Sequence, residues 1–340
     1  EKLTATIGVR APFFKRELNQ YCYTQNASGN VLCTTQSVTR VLPNGNVLLG
    51  SSTTEYVPPF KAEAKFEEVL PNIGVTYALT DAHTIYASYA GGLSAPRTDN
   101  LYSVRRAADG SLARALPDPE ETDSFDIGWR YRSEALLASV AVWKSEFKNR
   151  IVSSFDPDLG FSVDRNVGAV DLQGADFQVG WQMNDWIVVN GSASYNDSEL
   201  QDNLQVSATG SIPLAGKRLV ETPEWTYAGR VELRPFEGFN VGLEGKFVDE
   251  RFTTDLNDAK VKSFTVYSLD AGYNFEIEGV KSVRVQANVY NLFDEEFFGS
   301  ISSTTGALPL TPAVSGYSPS APFLTLGAPR TVSLSLQVRF

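Results

Sequence analysis

The residues that most constrain the fold are the last ten. In Thr331-Val332-Ser333-Leu334-Ser335-Leu336-Gln337-Val338-Arg339-Phe340, Val332, Leu334, Leu336, Val338 and Phe340 fall on one side. Ser333, Ser335, Gln337 and Arg339 fall on the other. Strict period-two alternation describes a strand with one apolar face. It runs without a polar tail to an aromatic residue, which predicts a last strand that closes a barrel rather than a frayed end.

The same pattern recurs upstream. Residues 3–11 put Leu3, Ala5, Ile7 and Val9 opposite Thr4, Thr6, Gly8 and Arg10. Further apolar rows follow at Ile73-Val75-Tyr77, Ile85-Ala87-Tyr89, Phe125-Ile127-Trp129-Tyr131, Ala175-Phe177-Val179-Trp181 and Val189-Gly191-Ala193. They continue at Trp225-Tyr227-Gly229-Val231, Val241-Leu243-Gly245, Tyr267-Leu269-Ala271-Tyr273 and Val283-Val285-Ala287-Val289. With residues 137–147 and the closing segment, the count is about twelve strands of the length a membrane barrel uses. Their connections alternate. Short turns lie at Thr80-Asp81-Ala82-His83, Ser133-Glu134, Asn184-Asp185, Pro235-Phe236-Glu237-Gly238 and Glu278-Gly279. Polar loops, most of them long, lie near 12–59, 91–120, 155–160, 196–220, 253–260 and 298–329. Within the first, Asn44-Gly45 between apolar runs marks a hairpin. A soluble sandwich has no reason to sort loops by length in this way. A transmembrane antiparallel β-barrel does, with short periplasmic turns and long extracellular loops.

No run of about 18 apolar residues is present, so a transmembrane helix is not expected; barrel strands leave a much weaker hydropathy signal. The face opposite the apolar one carries Arg130, Asp176, Arg230, Glu232, Arg234, Glu244, Lys246, Asp270, Arg284 and Arg339. These residues suit a wet lumen. Trp129, Tyr131, Trp143, Phe147, Trp181, Trp186, Trp225, Tyr227, Tyr273 and Phe275 sit near strand ends, as interfacial aromatic girdles do. The bland alternative is an aromatic-rich soluble core. A net charge of -11 argues against nucleic acid as a partner.

Cys22 and Cys33 flank a polar stretch, which suggests a disulfide and an oxidising compartment; the alternative is two unrelated buried thiols. No signal peptide precedes Glu1, so the chain reads as processed or as a fragment. No catalytic constellation emerges, and an enzyme is not expected. His83 is the one histidine and falls in a turn, where solvation is the simplest reading. Glu120-Glu121 and Glu295-Glu296 are sequence neighbours, so on strands they face opposite sides and read as solvated strand ends. One histidine and two paired cysteines offer no metal site. Candidate ligand contacts are the loop cations Arg97, Arg105, Arg106 and Arg114 with Tyr102, since guanidinium groups suit carboxylate or phosphate. Lipopolysaccharide phosphate or plain solvation are the competing readings. Tyr21, Tyr23 and Tyr56 offer rings for stacking, or simply pack between loops.

Three stretches resemble the C-terminal part of the barrel of a TonB-dependent outer-membrane receptor. They are Tyr86-Ala87-Ser88-Tyr89-Ala90-Gly91-Gly92-Leu93-Ser94-Ala95-Pro96 with Leu101-Tyr102, Val289-Tyr290-Asn291-Leu292-Phe293-Asp294-Glu295-Glu296-Phe297, and the last strand. The resemblance implies import of a scarce ligand, most often a ferric siderophore, across the outer membrane of a Gram-negative bacterium. It implies energy from the TonB complex through an N-terminal segment. It also implies contact with outer-membrane lipid and lipopolysaccharide, and Phe340 as the signal for the barrel assembly machinery. No cofactor is implied beyond iron in the cargo. Such receptors have about 22 strands around a plug. Residues 1–340 show neither plug nor energy-coupling box and read throughout as barrel wall, matching the last half of such a barrel. Ser94 stands where the family often has arginine. A passive porin-like or assembly barrel of about twelve strands is the alternative, and a soluble all-β binding protein a weaker one.

Overall fold

In the computed structural model, residues 2–24, 31–96, 104–106, 112–114, 118–156, 161–205, 210–314 and 317–339 are described. Twelve strands form one antiparallel sheet in chain order. They are β1 (Leu3–Arg10), β2 (Leu70–Ala78), β3 (His83–Ser94), β4 (Glu120–Arg132), β5 (Leu136–Lys148) and β6 (Val170–Asn184), then β7 (Ile187–Leu200), β8 (Trp225–Leu233), β9 (Phe239–Val248), β10 (Phe264–Ile277), β11 (Val280–Tyr290) and β12 (Thr331–Arg339). The first strand thus stops one residue short of the 3–11 expected from the alternation. Among the described residues there is no helix.

Turns at 79–82, 133–135, 185–186, 234–238 and 278–279 lie at one end of the sheet, and the six long connections lie at the other. In the 278–279 turn Gly279 has φ +83°, which a residue with a Cβ rarely adopts. Each long connection carries a further ladder of its own. Examples are Phe13–Gln20 with Phe60–Glu67, and Phe298–Ser302 with Phe323–Leu326. The Asn44-Gly45 hairpin forms as expected, with Val38–Val41 paired to Val47–Leu49 and the turn closed by Leu42 N–H to Asn46 O at 2.8 Å.

The sheet is rolled. Thr84, Arg130, Ser139, Gln178, Asn190, Ala228 and Glu244 come from seven successive strands, β3 to β9, and line one cavity of about 760 Å³. Their face is therefore concave. Cross-strand register puts the apolar rows on the convex face, for example Ile127 opposite Val142, and Leu243 opposite Val231 and Leu269. Ile7, Ile127 and Leu334 there are 79%, 58% and 76% exposed. So large an apolar surface is untenable in water and suits lipid.

Aromatic residues form two bands on this convex face. Tyr195, Trp225, Tyr227 and Phe247 contact one another ring to ring in series near the loop end. Phe236, Phe239, Tyr273 and Phe275 do so near the turns. His83 belongs to the turn-side band, which corrects its reading as a solvated turn residue. It opens β3, its ring packs 4.9 Å from that of Tyr131, and its Nδ1 accepts the Trp129 indole N–H at 3.2 Å. Trp143 and Phe147 leave the girdle altogether. Trp143 pairs with Asp126 and Gly174, so it faces inward.

The buried apolar core sits in the loop layer. Val167, Val170, Leu200, Ile212, Leu214, Leu219 and Leu256 pack together, with Phe147, Leu310 and Tyr317 against them. A smaller cluster of Leu18, Ala64 and Phe66 holds the first ladder over Ala95.

Candidate lumen and loop canopy

The concave face is rich in Ser, Thr, Asn, Gln and Gly, and its large side chains lie flat. Tyr86 rests on Gly128, where a Cβ would stand 2.6 Å from the phenol. Trp143 covers Gly174 in the same way, Arg230 covers Gly242, and Arg284 covers Gly272. In each case a planar group reaches across a neighbouring strand whose missing Cβ makes room. The result is a smooth wall.

Polar partners fix these groups in place. Arg230 is bidentate to Asp270 at 2.5 and 3.1 Å and also meets Glu232 at 3.1 Å; Glu232 in turn accepts from Arg234 at 2.8 Å. Arg284 donates to Asn240 at 2.9 Å and to Asn274 at 3.1 Å. The Trp143 indole donates to Asp176 at 2.9 Å, and the Ser194 hydroxyl donates to the other Asp176 oxygen. These links tie β5 to β7, β8 to β10 and β9 to β11, so the wall is cross-braced beyond its backbone ladder.

Above the wall, three loops are knitted into one block. The Asn257 amide accepts from Arg218 N–H at 2.8 Å and returns a bond to Arg218 O at 3.0 Å, joining 249–263 to 201–224. Asp258 joins 249–263 to 291–330 through Ala307 N–H at 3.1 Å and Leu308 N–H at 2.8 Å, with the Thr254 hydroxyl at 2.7 Å. Burial pushes the Asp258 carboxyl up, but these donors outweigh it and hold it below its ordinary value. Glu221 accepts from Ser303 N–H at 3.2 Å and links 201–224 to 291–330. Arg251, beneath the canopy, has its pKa lowered by burial, opposed by the nearby Glu221 carboxylate.

The Asn-Leu-Phe-Asp stretch acts as a clasp. Asn291 is fully buried, accepts Glu295 N–H at 2.8 Å, and donates to Ala328 O at 3.1 Å. Asp294 accepts Arg330 N–H at 2.8 Å. The motif therefore pins together the two feet of the 291–330 loop, where β11 ends and β12 begins. Glu120 is a further residue misjudged from sequence. It is not a solvated strand end but a buried carboxylate, accepting from Arg150 Nη1 at 2.8 Å and Ile151 N–H at 2.7 Å.

The structure separates the candidate ligand contacts. Tyr21 is exposed beside the Cys22–Cys33 disulfide, whose Cα atoms are 4.8 Å apart. Tyr23 lies in the Tyr23–Thr24 strand and Tyr56 in Glu55–Tyr56, both half-buried. Arg105 and Arg106 lie on Val104–Arg106, which pairs with Leu112–Arg114 and sets Arg114 opposite Val104. Arg97, Tyr102 and Phe340 lie outside the described residues. Among the described residues no group of three or more His, Cys, Asp or Glu is placed to hold a metal.

A rolled antiparallel meander, apolar outside, hydroxyl- and amide-lined inside and roofed by long loops at one end, is the wall of a transmembrane β-barrel. The profile of the family described as TonB dependent receptor-like, beta-barrel, matches residues 1–292, and the chain belongs to that family. It is 21% identical over 235 residues to the catecholate siderophore receptor Fiu of Escherichia coli K12, covering 68% of this chain and 29% of that protein. It is 23% identical over 248 residues to the ferric-pyoverdine 358 receptor of Pseudomonas putida, covering 70% of this chain and 27% of that one. The siderophore receptor PiuA of Acinetobacter baumannii superposes on the whole chain with a TM-score of 0.66 at 20% identity, over 41% of its own length. The chain thus spans less than half of each of these relatives.

Proposed function

We propose that residues 1–340 form barrel wall and loop canopy of an outer-membrane receptor that imports a scarce ligand, a ferric siderophore, with energy from the TonB complex. The observation that carries this reading is the inverted wall: an apolar convex face, and a smooth, polar concave face beneath a knitted canopy. Family membership supports the coupling to TonB. The named receptors for a catecholate siderophore and for ferric pyoverdine support iron chelates as cargo. On this reading the turns face the periplasm, the loops face outward, and the arginine ladder around 104–114 meets the anionic chelate.

The test is uptake of radiolabelled iron from a ferric tris-catecholate complex by iron-starved cells, with and without the gene. The expected result is saturable uptake that disappears on gene deletion and on collapse of the proton gradient. Uptake that rises linearly with external concentration and survives a protonophore would overturn this reading in favour of a passive barrel. Unchanged uptake on deletion would remove ferric catecholate as the cargo.

A further inference from the structure

Strands β2 to β11 each adjoin one of the short turns, and a tight turn fixes the register of the pair it joins. The Glu278-Gly279 turn does so for β10 and β11. β12 adjoins none of them and meets β11 across the long 291–330 connection. Its own sequence settles only part of the register. A slip by one residue would turn Val332, Leu334, Leu336 and Val338 inward, which the lipid forbids. A slip by two residues keeps them outward. In one sense it brings Arg339 opposite Arg284, which now faces Gln337, and like charges resist it. In the other sense it sets Arg284 opposite Ser335, Gln286 opposite Ser333 and Asn288 opposite Thr331, so every inward pair stays polar. Asn288 now donates to the Ser333 hydroxyl at 3.1 Å, and Thr331 would offer it another. The one newcomer to the outer row is Arg330, at the loop-side rim, where its long side chain reaches water.

What separates these two registers lies just past the strand ends. Asn291 is fully buried and holds a left-handed backbone, φ +51°, which asparagine tolerates. Its side-chain amide donates to Ala328 O at 3.1 Å and to Glu295 O at 2.9 Å, and its side-chain oxygen accepts Glu295 N–H at 2.8 Å. Asp294, at φ +59°, accepts Arg330 N–H at 2.8 Å. Leu292 N–H donates to Tyr267 O at 2.7 Å, which ties the same turn to β10. The 291–295 turn is thus fixed to β10 and β11 and reaches the start of β12 through two side chains. All of these bonds lie within residues 267–331. Sliding β12 by two residues, at about 3.4 Å per residue, carries Ala328 and Arg330 about 7 Å along the strand, out of reach of both.

We propose that Asn291 and Asp294 are a register lock for β12, selecting one pairing with β11 out of the two that the strand's own pattern allows. The alternation decides which face of β12 meets lipid, and the lock decides how far along β11 it sits. The selected register sets Thr331 opposite Tyr290 and Arg339 opposite Ser282, so β12 spans the same depth as β11. This role is independent of what the barrel carries.

Cysteine pairs on the lipid face read the register in the full-length receptor assembled in outer membranes. A287C with L334C bridges the observed register, and A287C with V332C bridges the permitted slip. Cys22 and Cys33, already paired with each other, do not compete. The expected result in the parent is efficient oxidative cross-linking of A287C with L334C and little of A287C with V332C. Asn291→Gly combined with Asp294→Gly keeps both left-handed backbones and removes both side-chain anchors. It should raise the yield of the A287C–V332C bridge about tenfold relative to A287C–L334C, the shift expected from losing a pair of hydrogen bonds. An unchanged ratio overturns the lock. Should the double glycine variant not assemble, as judged by heat-modifiable mobility, the A287C–L334C bridge is expected to restore assembly and the A287C–V332C bridge is not. No rescue, or equal rescue by both bridges, overturns the inference, because the motif would then serve loop folding rather than register.

Discussion

The wall and the canopy are built from the same residue types in opposite arrangements. In the wall, leucine and valine point outward and stay exposed on the protein surface, while serine, asparagine and arginine line the interior. In the canopy, Leu200, Ile212 and Leu214 are buried to 1% or less, and the polar residues either face out or form the Asn257 and Asp258 links. The wall derives its stability from a continuous backbone ladder, cross-braces such as Arg230–Asp270, and lipid on the convex side. The canopy's ladders are separate sheets of two or three strands, so it needs a water-excluding core of its own. One chain thus solves two folding problems, with the change of solvent falling where the strands leave the membrane.

The largest test of that contrast is a matched pair of truncations. Leu200→Ala removes a fully buried side chain from the canopy core and is expected to cost about 4 kcal/mol of local stability. Hydrogen exchange at the amides of Leu200 and Gly216, bonded to Lys217 O and Leu200 O, reads it out. Leu243→Ala on the convex wall is expected to cost less than about 1 kcal/mol, because lipid refills the space with matter as apolar as leucine. Equal costs would break the comparison. Next in size is Leu243→Arg, placed opposite Val231 and Leu269. A charge on the lipid face near mid-membrane is expected to cost about 3 kcal/mol, measured by urea unfolding from lipid vesicles. A neutral result would mean that this face meets water.

The wall was legible in sequence and the canopy was not, for a physical reason. Most strands of the wall have one apolar and one polar face, so period two shows directly in residues such as 125–131 and 331–338. The canopy is held by contacts distant in sequence, such as Glu221 to Ser303 and Asp258 to Ala307, which leave no local period. Trp143 was misplaced because its strand alternates weakly: Val140, Val142 and Lys144 face out while Trp143 and Phe147 face in. The clasp at Asn291 was visible as a motif, but its role needed Ala328 and Arg330, which are far along the chain. The candidate arginines near 97–114 were found by charge alone, and only the 104–106 and 112–114 ladder places three of them on neighbouring strands.

At the seam between the two regions, Glu120→Gln sharpens the comparison with a smaller effect. Glu120 begins β4 and accepts from both Arg150 and Ile151 N–H, so it ties the wall to the 149–169 loop. Removing its charge leaves the half-buried Arg150 without a counterion, at a cost of about 2 kcal/mol, below the range for a fully buried pair. Limited proteolysis should show faster cleavage within 149–169 while heat-modifiable mobility of the barrel is unchanged. A loss of assembled barrel would instead make Glu120 part of the wall.

The smallest expected effect is one of pH, and it should be confined to the canopy. Asp258 is held below its ordinary value of 3.8 by Thr254, Ala307 and Leu308, which donate to the ionised form. A depressed carboxyl lends stability that is fully present above that ordinary value and is lost as pH falls through the lower folded value. The link between the 249–263 and 291–330 loops should therefore hold unchanged from neutrality down to mild acid and weaken only in strong acid. Hydrogen exchange at Ala307 and Leu308, compared between Asp258→Asn and the parent, measures it. The variant should show the faster exchange at neutral pH and converge with the parent in strong acid. Concave cross-braces such as Trp143–Asp176 should stay protected throughout, because the lipid-backed ladder positions them independently of the loops. If they loosened together with Ala307, wall and canopy would be a single cooperative unit rather than two.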